Sequence, residues 1–289
     1  MSFFLKKNLI SNTLCNMENI LDTLKEKKPF VFSESFTDLK EGLLSFRVFG
    51  RFAWQDIKLR YKRSTLGPFW ITLSTMIMIY CMGVIYANLL NIDLTTFFPY
   101  LASGMVIWQF FLTLTLEGLD CFVEGGPMIK QVSLPFSFYV YRVVYRNLLV
   151  LAHQVVGLIP IFFYFNVSVN APLFLIGTFL FMLILVFSTL LLALLGSRYR
   201  DVKPIISSFL GVVFFVTPII WMPGMLSGRK LLLIKYNPIH HMINLVRNPL
   251  LGQEIPLSSW VCCLLILMVL VTFSLYLFGK YRRRIAFWV

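Results

Sequence analysis

The chain of 289 residues is strongly apolar: 58% of its residues are hydrophobic and only 13% are charged, against about 25% charged in soluble domains. This composition excludes a water-soluble globular domain and a disordered chain. The remaining charge is basic, with 26 Lys and Arg, 13 Asp and Glu, and a net charge of +13. The placement of these cations should therefore indicate a membrane topology.

The chain begins with residues 1–45, a mixed polar segment without a sustained hydrophobic period. We expect a cytoplasmic tail here, with at most one short helix. Lys6 and Lys7 interrupt the only early apolar stretch, so a cleavable signal peptide is not expected.

Residues 46–65 predict an amphipathic helix lying in the membrane interface. The apolar face carries Phe46, Gly50, Ala53, Trp54, Ile57 and Tyr61, and the polar face carries Arg47, Arg51, Gln55, Lys58 and Lys62. Such a helix either anchors the chain on anionic head groups alone or also contacts a cytoplasmic partner, and the two roles are compatible.

Five long runs lack Asp, Glu, Lys and Arg, and one of them, Asn147 to Ser197, is long enough for two spans of about 20 residues. Residues 166–172 break that run with a turn-forming sequence, so the pattern predicts six transmembrane helices in an all-α polytopic membrane protein. The predicted spans are Leu66 to Leu90, Thr95 to Leu116, Asn147 to Phe165, Pro172 to Leu195, Pro204 to Trp221 and Leu257 to Gly279.

The cations predict the orientation of these spans. With both termini cytoplasmic, sixteen Lys and Arg flank the spans on the inner side and four lie on the outer side. We therefore expect a multi-pass membrane protein with both termini cytoplasmic.

Two connections are too elaborate for simple loops. Residues 117–146 contain Gly125, Gly126 and Pro127 around a short mixed segment, which predicts a compact helix across the cytoplasmic surface that takes force from a soluble protein. Residues 223–256 contain two apolar stretches too short to span, separated by Asn237 and Pro238, which predicts a re-entrant hairpin over a pathway. An ordinary outer loop is the alternative for that second segment.

The chain lacks the signatures of an enzyme: it has no phosphate-binding loop, nucleophile elbow or zinc-binding helix motif. The five cysteines have no metal-ligand spacing, so we expect reduced thiols and no metal. His153 and Gln154 are polar within the third span, and for His153 a hydrogen bond between helices is favoured over a proton relay because no intramembrane carboxylate accompanies it. Without such a carboxylate, ion coupling is not expected, and energy must come from another source.

Aromatic residues are distributed along the first, second and fifth spans rather than only at their ends. Aromatic rings stack on sugar faces with little demand on orientation, so a pathway lined with them suits a long glycan. Plain packing is the alternative for each ring taken singly.

Residues 54–70 read WQDIKLRYKRSTLGPFW, and this run resembles the permease subunits of ATP-binding-cassette exporters for bacterial polysaccharides, including O-antigen of lipopolysaccharide, capsule and teichoic acid. Three further features support the resemblance, which covers residues 45–289. They are residues 198–201 (RYRD), Asn237-Pro238 with Arg247, and the basic ending at residues 281–289.

The resemblance implies a six-span subunit that dimerises on two copies of a separate ATPase, which holds ATP and Mg, so no cofactor is expected in this chain. It implies an interface helix at Phe46 to Arg63, a coupling helix near Asp120 to Gln131, and gate helices near Pro223 to Leu233 and Pro238 to Leu250. By position, the coupling residues are Asp120, Glu124, Met128, Ile129 and Lys130, the outer gate residues are Asn237, Pro238 and Arg247, and the channel candidates are Trp70, Tyr80, Tyr86, Phe214, Phe215 and Trp221.

The expected function is export of a lipid-linked polysaccharide, O-antigen foremost, with membrane lipids as surroundings and no nucleic acid as partner. Arg60, Arg198 and Arg200 are expected to receive the phosphate of the lipid head group, because guanidinium suits phosphate geometry. They are alternatively only positive-inside anchors. The rival functions are a drug or lipid exporter permease and a membrane protein of glycan assembly that works without an ATPase.

Overall fold

The structure, a computed structural model, describes residues 31–289 except Arg63, Leu66, Pro68 and Leu226. This part of the chain is helical and contains no β-strand. The helices are α1 (Val31–Leu44), α2 (Phe46–Arg60), α3 (Phe69–Leu90), α4 (Leu94–Ile129), α5 (Phe136–Tyr164), α6 (Ala171–Arg198), α7 (Val202–Val216), α8 (Leu231–Lys235), α9 (Pro238–Leu250), α10 (Leu257–Tyr281) and α11 (Ile285–Trp288).

Five helices are long and apolar enough to cross a membrane, namely α3, α4, α5, α6 and the helical segment that begins at Leu257. The predicted fifth span corresponds to α7, which has only 15 residues, or about 22 Å of helix against a hydrocarbon core of about 30 Å. It ends before the predicted Trp221 because Thr217 is extended (φ −83°, ψ 133°) ahead of Pro218, and a residue before proline disfavours helix.

The core is organised around α4, which packs on α3, α5, α6, α7 and α9. Close approach to α6 depends on two glycines. A Cβ at Gly196 would lie 2.0 Å from the carbonyl oxygen of Leu119 on α4, and one at Gly177 would lie 2.0 Å from that of Leu245 on α9. Small residues that let backbones approach are the usual basis of helix packing in membranes.

The predicted short helix across the surface near Asp120 to Gln131 is not a separate element, because α4 continues without a break to Ile129. Gly125 and Gly126 serve packing instead, against the ring of Tyr139 and against the C-terminal Val289. Pro127 lies inside the last turns of α4, where a proline removes one hydrogen bond of the helix but does not end it here. In addition, α5 begins at Phe136, well before the predicted start at Asn147.

The end of the bundle at which α4, α6 and α10 finish and α5 begins is called the basic end here. At this end α1 packs on α5 and α10, within the segment expected to be a tail. Its Asp38, which is fully buried, accepts hydrogen bonds from the backbone N–H groups of Phe136 (3.1 Å) and Ser137 (2.8 Å). It also forms an ion pair with Arg282 at 2.9 Å. The rest of the expected tail, residues 1–30, lies outside the described residues.

Candidate functional site

Near the basic end, five charged residues of α2, α4 and α5 form a connected set that we call the ion network: Asp56, Arg60, Glu117, Arg142 and Arg146. The carboxylate of Asp56 on α2 accepts two hydrogen bonds from Arg142 on α5, one of them from Nε at 2.8 Å. This two-point geometry is the strong, orienting form of an arginine–carboxylate pair. The network therefore holds the amphipathic helix α2 at a set position on α5.

Glu117 on α4 is the centre of the ion network. It accepts from Arg146 (Nη2, 2.8 Å), from Arg60 (Nη2, 3.0 Å) and from the amide of Asn147 (2.7 Å). Arg146 is 6% exposed and also lies 3.4 Å from Asp56. Because buried guanidinium needs carboxylate partners to offset its lost hydration, Glu117 and Asp56 together make this arginine tolerable. The ion network thus connects α2 to both α4 and α5.

The predicted coupling residues divide into three groups in the structure. Asp120 forms an ion pair with Lys203 at the start of α7, so it links α4 to α7. Met128 and Ile129 are half-buried against the core. Glu124 and Lys130 are exposed, and Glu124 lies 3.8 Å from Arg146. Of the three groups, only this last one consists of exposed charged side chains.

The predicted channel aromatics on α3 differ in exposure. The side chains of Trp70 and Tyr80 are about half exposed, at 52% and 48%, whereas Tyr86 is half-buried against the core. The ring of Tyr80 lies 5.2 Å from that of Phe98 on α4. Trp70 and Tyr80 therefore each have an exposed ring surface that could contact a molecule outside the subunit.

The predicted channel aromatics of the fifth span occupy two environments. Phe214 is half-buried, with its ring 5.4 Å from that of Trp108 on α4, and Phe215 is 64% exposed. Trp221 lies beyond the end of α7 and donates from Nε1 to the carbonyl of Phe215 at 3.0 Å. Within one subunit α3 packs on α4 and α5 and α7 packs on α4 and α6. The structure does not join the α3 and α7 aromatics into one pathway.

A second polar group, the α9 polar cluster, contains the predicted gate residues Asn237 and Arg247 together with His240, His241 and Asn244. Asn237 caps α9, because its side chain accepts from the N–H groups of Ile239 (3.0 Å) and His240 (3.2 Å). Its amide donates to the hydroxyl of Thr217 after α7, at 3.0 Å. Pro238 occupies the first position of the helix, where its missing N–H is not needed. These contacts couple the start of α9 to the end of α7.

Arg247 is the most deeply placed cation among the described residues, at 1% exposure. Its guanidinium lies 4.0 Å from the ring centroid of Tyr100, and it donates to the carbonyl of Pro218 (2.7 Å) and to Asn244 (2.9 Å). The described part of the chain places no carboxylate beside it. The positive charge of Arg247 is therefore stabilised by an aromatic ring face and by neutral oxygen acceptors rather than by a carboxylate.

The three predicted head-group cations are not grouped together. Arg60 is engaged by Glu117, whereas Arg198 at the end of α6 lies over the ring of Trp288, 5.5 Å from its centroid. Arg200 is exposed in the turn between α6 and α7.

Two polar residues of the predicted third span, His153 and Gln154, make different hydrogen bonds. His153 bonds within its own helix to the carbonyl of Leu149 (2.7 Å), whereas Gln154 makes the bond between helices, to Thr75 (3.3 Å).

The ion network was not predicted as a unit from the sequence, although a signal for it is present there. Arg142 and Arg146 lie four residues apart and therefore on one helix face. Glu117 directly follows the second apolar run, and Asp56 interrupts a basic helix. Acids at such membrane boundaries require partners, and these two arginines are cations at the same predicted boundary. The four described cysteines (Cys81, Cys121, Cys262 and Cys263) are free thiols, and Cys15 lies outside the described residues.

Comparison with known proteins identifies a family and two relatives of this chain. Residues 47–251 match the family model of the ABC-2 type transporter. Two relatives from Klebsiella pneumoniae, both named O-antigen export system permease protein RfbA, are 25% identical over 197 residues and 24% identical over 212 residues. The first alignment covers 65% of this chain and 74% of the relative, and the second covers 69% and 80%. The match extends from the start of α2 to the end of α9, over most of the chain, and the chain belongs to the ABC-2 type transporter family.

Proposed function

We propose that this chain is the permease subunit of an ATP-driven exporter that moves a lipid-linked polysaccharide, O-antigen foremost, across the bacterial cytoplasmic membrane. The observation that carries the proposal is the likeness to two permeases named for O-antigen export, over 65% and 69% of the chain. The subunit works as a homodimer on two copies of an ATPase, and these copies bind ATP and Mg. The permease itself is not an enzyme.

The proposed topology has six spans with both termini cytoplasmic, so that the basic end faces the cytoplasm. The excess of Lys and Arg at that end supports this orientation. The fifth crossing consists of α7 and the turn that follows it, and α8 and α9 form the re-entrant outer segment. Burial of α9 against α4, α6 and α10 supports its place inside the protein, where backbone that does not span is tolerated at membrane depth.

The proposed coupling route begins at the exposed charges Glu124 and Lys130, where α4 meets the ATPase. Force applied there, or to α2, reaches the spans through the ion network, because Asp56 and Glu117 tie α2 to α5 and α4. Asp120 and Lys203 extend the route to α7. ATP-driven closure then rotates the first span against the fifth.

The proposed pathway for the glycan lies between two subunits and is lined by α3 of one and α7 of the other. The exposed side chains of Trp70, Tyr80 and Phe215 support this position, since 48–64% of each is left uncovered within the subunit. The α9 polar cluster, with Arg247 beside the end of α7, forms the outer gate. Arg200, which is exposed in the turn between α6 and α7, receives the phosphate of the lipid carrier.

The experiment that tests this function is deletion of the gene in its native host, with surface glycan and membrane-associated internal glycan stained separately. We expect internal glycan to accumulate and surface glycan to disappear, and plasmid-borne wild-type protein to restore the surface. An unchanged surface would favour a smaller exported substrate. Loss of glycan on both sides would favour a role in glycan assembly.

A further inference from the structure

A pocket of about 310 Å³ lies at the basic end, between the last turns of α6 and α10 and the C-terminal turn of the chain. We call it the C-terminal pocket. Leu194 and Leu195 of α6 and Leu277 of α10 supply its apolar wall. Because both helices are long enough to cross the membrane, their ends and this pocket lie at the depth of the lipid head groups.

The lining of the C-terminal pocket includes a cation, Arg198, that has no acidic partner among the described residues. The guanidinium of Arg198 lies 5.5 Å from the ring centroid of Trp288 and 5.8 Å from that of Tyr199. The ion pairs of the described residues do not include Arg198. Cation–π contact therefore orients this charge without neutralising it.

A second cation of the same kind lines the pocket. Arg284 lies 6.0 Å from the ring centroid of Tyr281, and in the described part of the chain it too lacks a carboxylate partner. Its two neighbours are different, because Arg282 pairs with Asp38 at 2.9 Å and Arg283 pairs with Glu34 at 2.7 Å. Arg282 and Arg283 thus form ion pairs within the protein, whereas Arg284 lines the pocket without one.

The chemistry of this site indicates its ligand. Guanidinium groups match the oxygens of a phosphate, the aromatic rings tolerate the boundary between water and hydrocarbon, and the leucine wall suits glycerol and the first methylenes of an acyl chain. Phe287, which precedes the pocket residue Trp288 in the chain and is 85% exposed, adds an apolar ring of the kind that enters the interface. We infer that the C-terminal pocket binds an anionic phospholipid of the surrounding bilayer, with its phosphate on Arg198 and Arg284.

Such a lipid has a structural consequence for α4. The C-terminal Val289 packs against Gly126 in the last turns of α4, where an added Cβ would lie 3.4 Å from the Cβ of Val289. A lipid that holds Trp288 in place therefore also steadies the end of α4. This role is independent of the exported substrate, since it requires no transport.

The test is native mass spectrometry of the purified full-length chain in detergent, titrated with dioleoylphosphatidylglycerol or with zwitterionic dioleoylphosphatidylcholine. We expect wild type to retain the anionic lipid preferentially. The variant Arg198→Gln/Arg284→Gln should retain it about thirtyfold less tightly, because each cation near an anionic head group contributes about a factor of five. A matched control, Lys40→Gln/Lys130→Gln, also loses two exposed cations at the same end but changes no residue of this pocket, and it should retain the lipid like wild type.

Thermal unfolding with and without the anionic lipid provides a second measurement, since a ligand of the folded state raises the unfolding temperature. We expect the lipid to raise this temperature for wild type and the control, and not for the double variant. If the double variant does not fold, Arg284→Gln alone should show a partial loss. Equal retention of both lipids by wild type, equal retention of the anionic lipid by the double variant, or complete displacement by inorganic phosphate would overturn the inference.

Discussion

At the scale of single residues, the chain concentrates its charge–charge contacts where helices meet water. Glu117 illustrates the arrangement, since one carboxylate serves Arg60 on α2 and both Arg146 and Asn147 on α5. Its side chain is 20% exposed and that of Arg146 is 7% exposed. For a partly buried ion pair of this kind, removing one partner destabilises the protein by more than the intact pair stabilises it, because the other charge stays buried without a counterion.

Replacement of Glu117 by Gln should therefore destabilise the protein by about 3 kcal/mol, because Arg146 stays buried and loses its closest anion. The change keeps the shape of the side chain and its bond with Asn147. Thermal unfolding in detergent, followed by circular dichroism, should show a lower midpoint by several degrees.

The matched control for that substitution is Glu124→Gln. Its carboxylate is 55% exposed and 3.8 Å from the same Arg146, and exposed pairs of that length contribute little. The control should shift the midpoint by no more than about a degree. Equal shifts for the two variants would show that the ion network does not depend on Glu117.

At the scale of elements, α1 links the start of α5 to the segment after α10 at the basic end, and we call this link the α1 clasp. One carboxylate, Asp38, caps the N-terminus of α5 and pairs with Arg282 after α10. An anion at a helix N-terminus is stabilised by the free N–H groups there. The helix α1 lies before residue 47, where the family match begins, so this clasp is an addition outside the matched domain.

The variant Asp38→Asn should loosen this clasp, because the amide cannot satisfy Arg282 and both backbone N–H groups at once. Hydrogen exchange measured by mass spectrometry should become at least tenfold faster in α1 and in the first turn of α5. The exposed Glu41 on the same helix has no ion pair within the described residues, so Glu41→Gln is the control and should leave exchange unchanged. Unaltered exchange in Asp38→Asn would argue against the clasp.

At the scale of the whole molecule, α7 leaves an apolar stripe uncovered. Ile205, Phe209 and Val212 fall on one face and are exposed by 63–64%, and only Leu210 in this helix is buried. A helix of 15 residues that is poorly anchored within its own subunit is well suited to rest on a second copy, which is the position that the proposed pathway requires.

A cysteine at Phe209 should therefore form a disulfide between two subunits in native membranes, in a chain whose own cysteines are replaced by alanine. The control is a cysteine at Phe179 on α6, which is exposed by 66% and is expected to face lipid. Oxidation followed by gel electrophoresis without reductant reads out the dimer. Cross-linking at position 179 and not at position 209 would contradict the proposed interface.

Contact with the ATPase makes a further prediction for the whole assembly. The double variant Glu124→Lys/Lys130→Glu reverses the exposed charges at the end of α4 without touching the half-buried Met128 and Ile129. We expect surface glycan to be lost and internal glycan to accumulate, at a normal protein level. Glu254→Lys, an exposed change at the opposite end, should export normally. Normal export by the double variant would place the ATPase contact elsewhere.

Several elements could be predicted closely from local pattern. The sixth span was expected from Leu257 to Gly279 and the helix runs from Leu257 to Tyr281, and the second gate helix was expected at Pro238 to Leu250, where α9 lies. Pro, Asn and the ends of apolar runs are local signals, so they mark boundaries well. Gly125 and Gly126 wrongly indicated a break in the helix, because their role is to let Tyr139 and Val289, which are not their sequence neighbours, pack closely against α4.

The sequence by itself determined that this is a helical membrane protein with a basic end, because the cost of placing each side chain in hydrocarbon is paid residue by residue along a span. Only the tertiary structure decided which polar groups contact one another. Asp56 and Arg142 are 86 residues apart and Asp38 and Ser137 are 99 apart, and no local period encodes such pairs. It likewise decided that Arg282 and Arg283 serve the protein while Arg284 faces a pocket, since three adjacent arginines differ only in the helices that surround them.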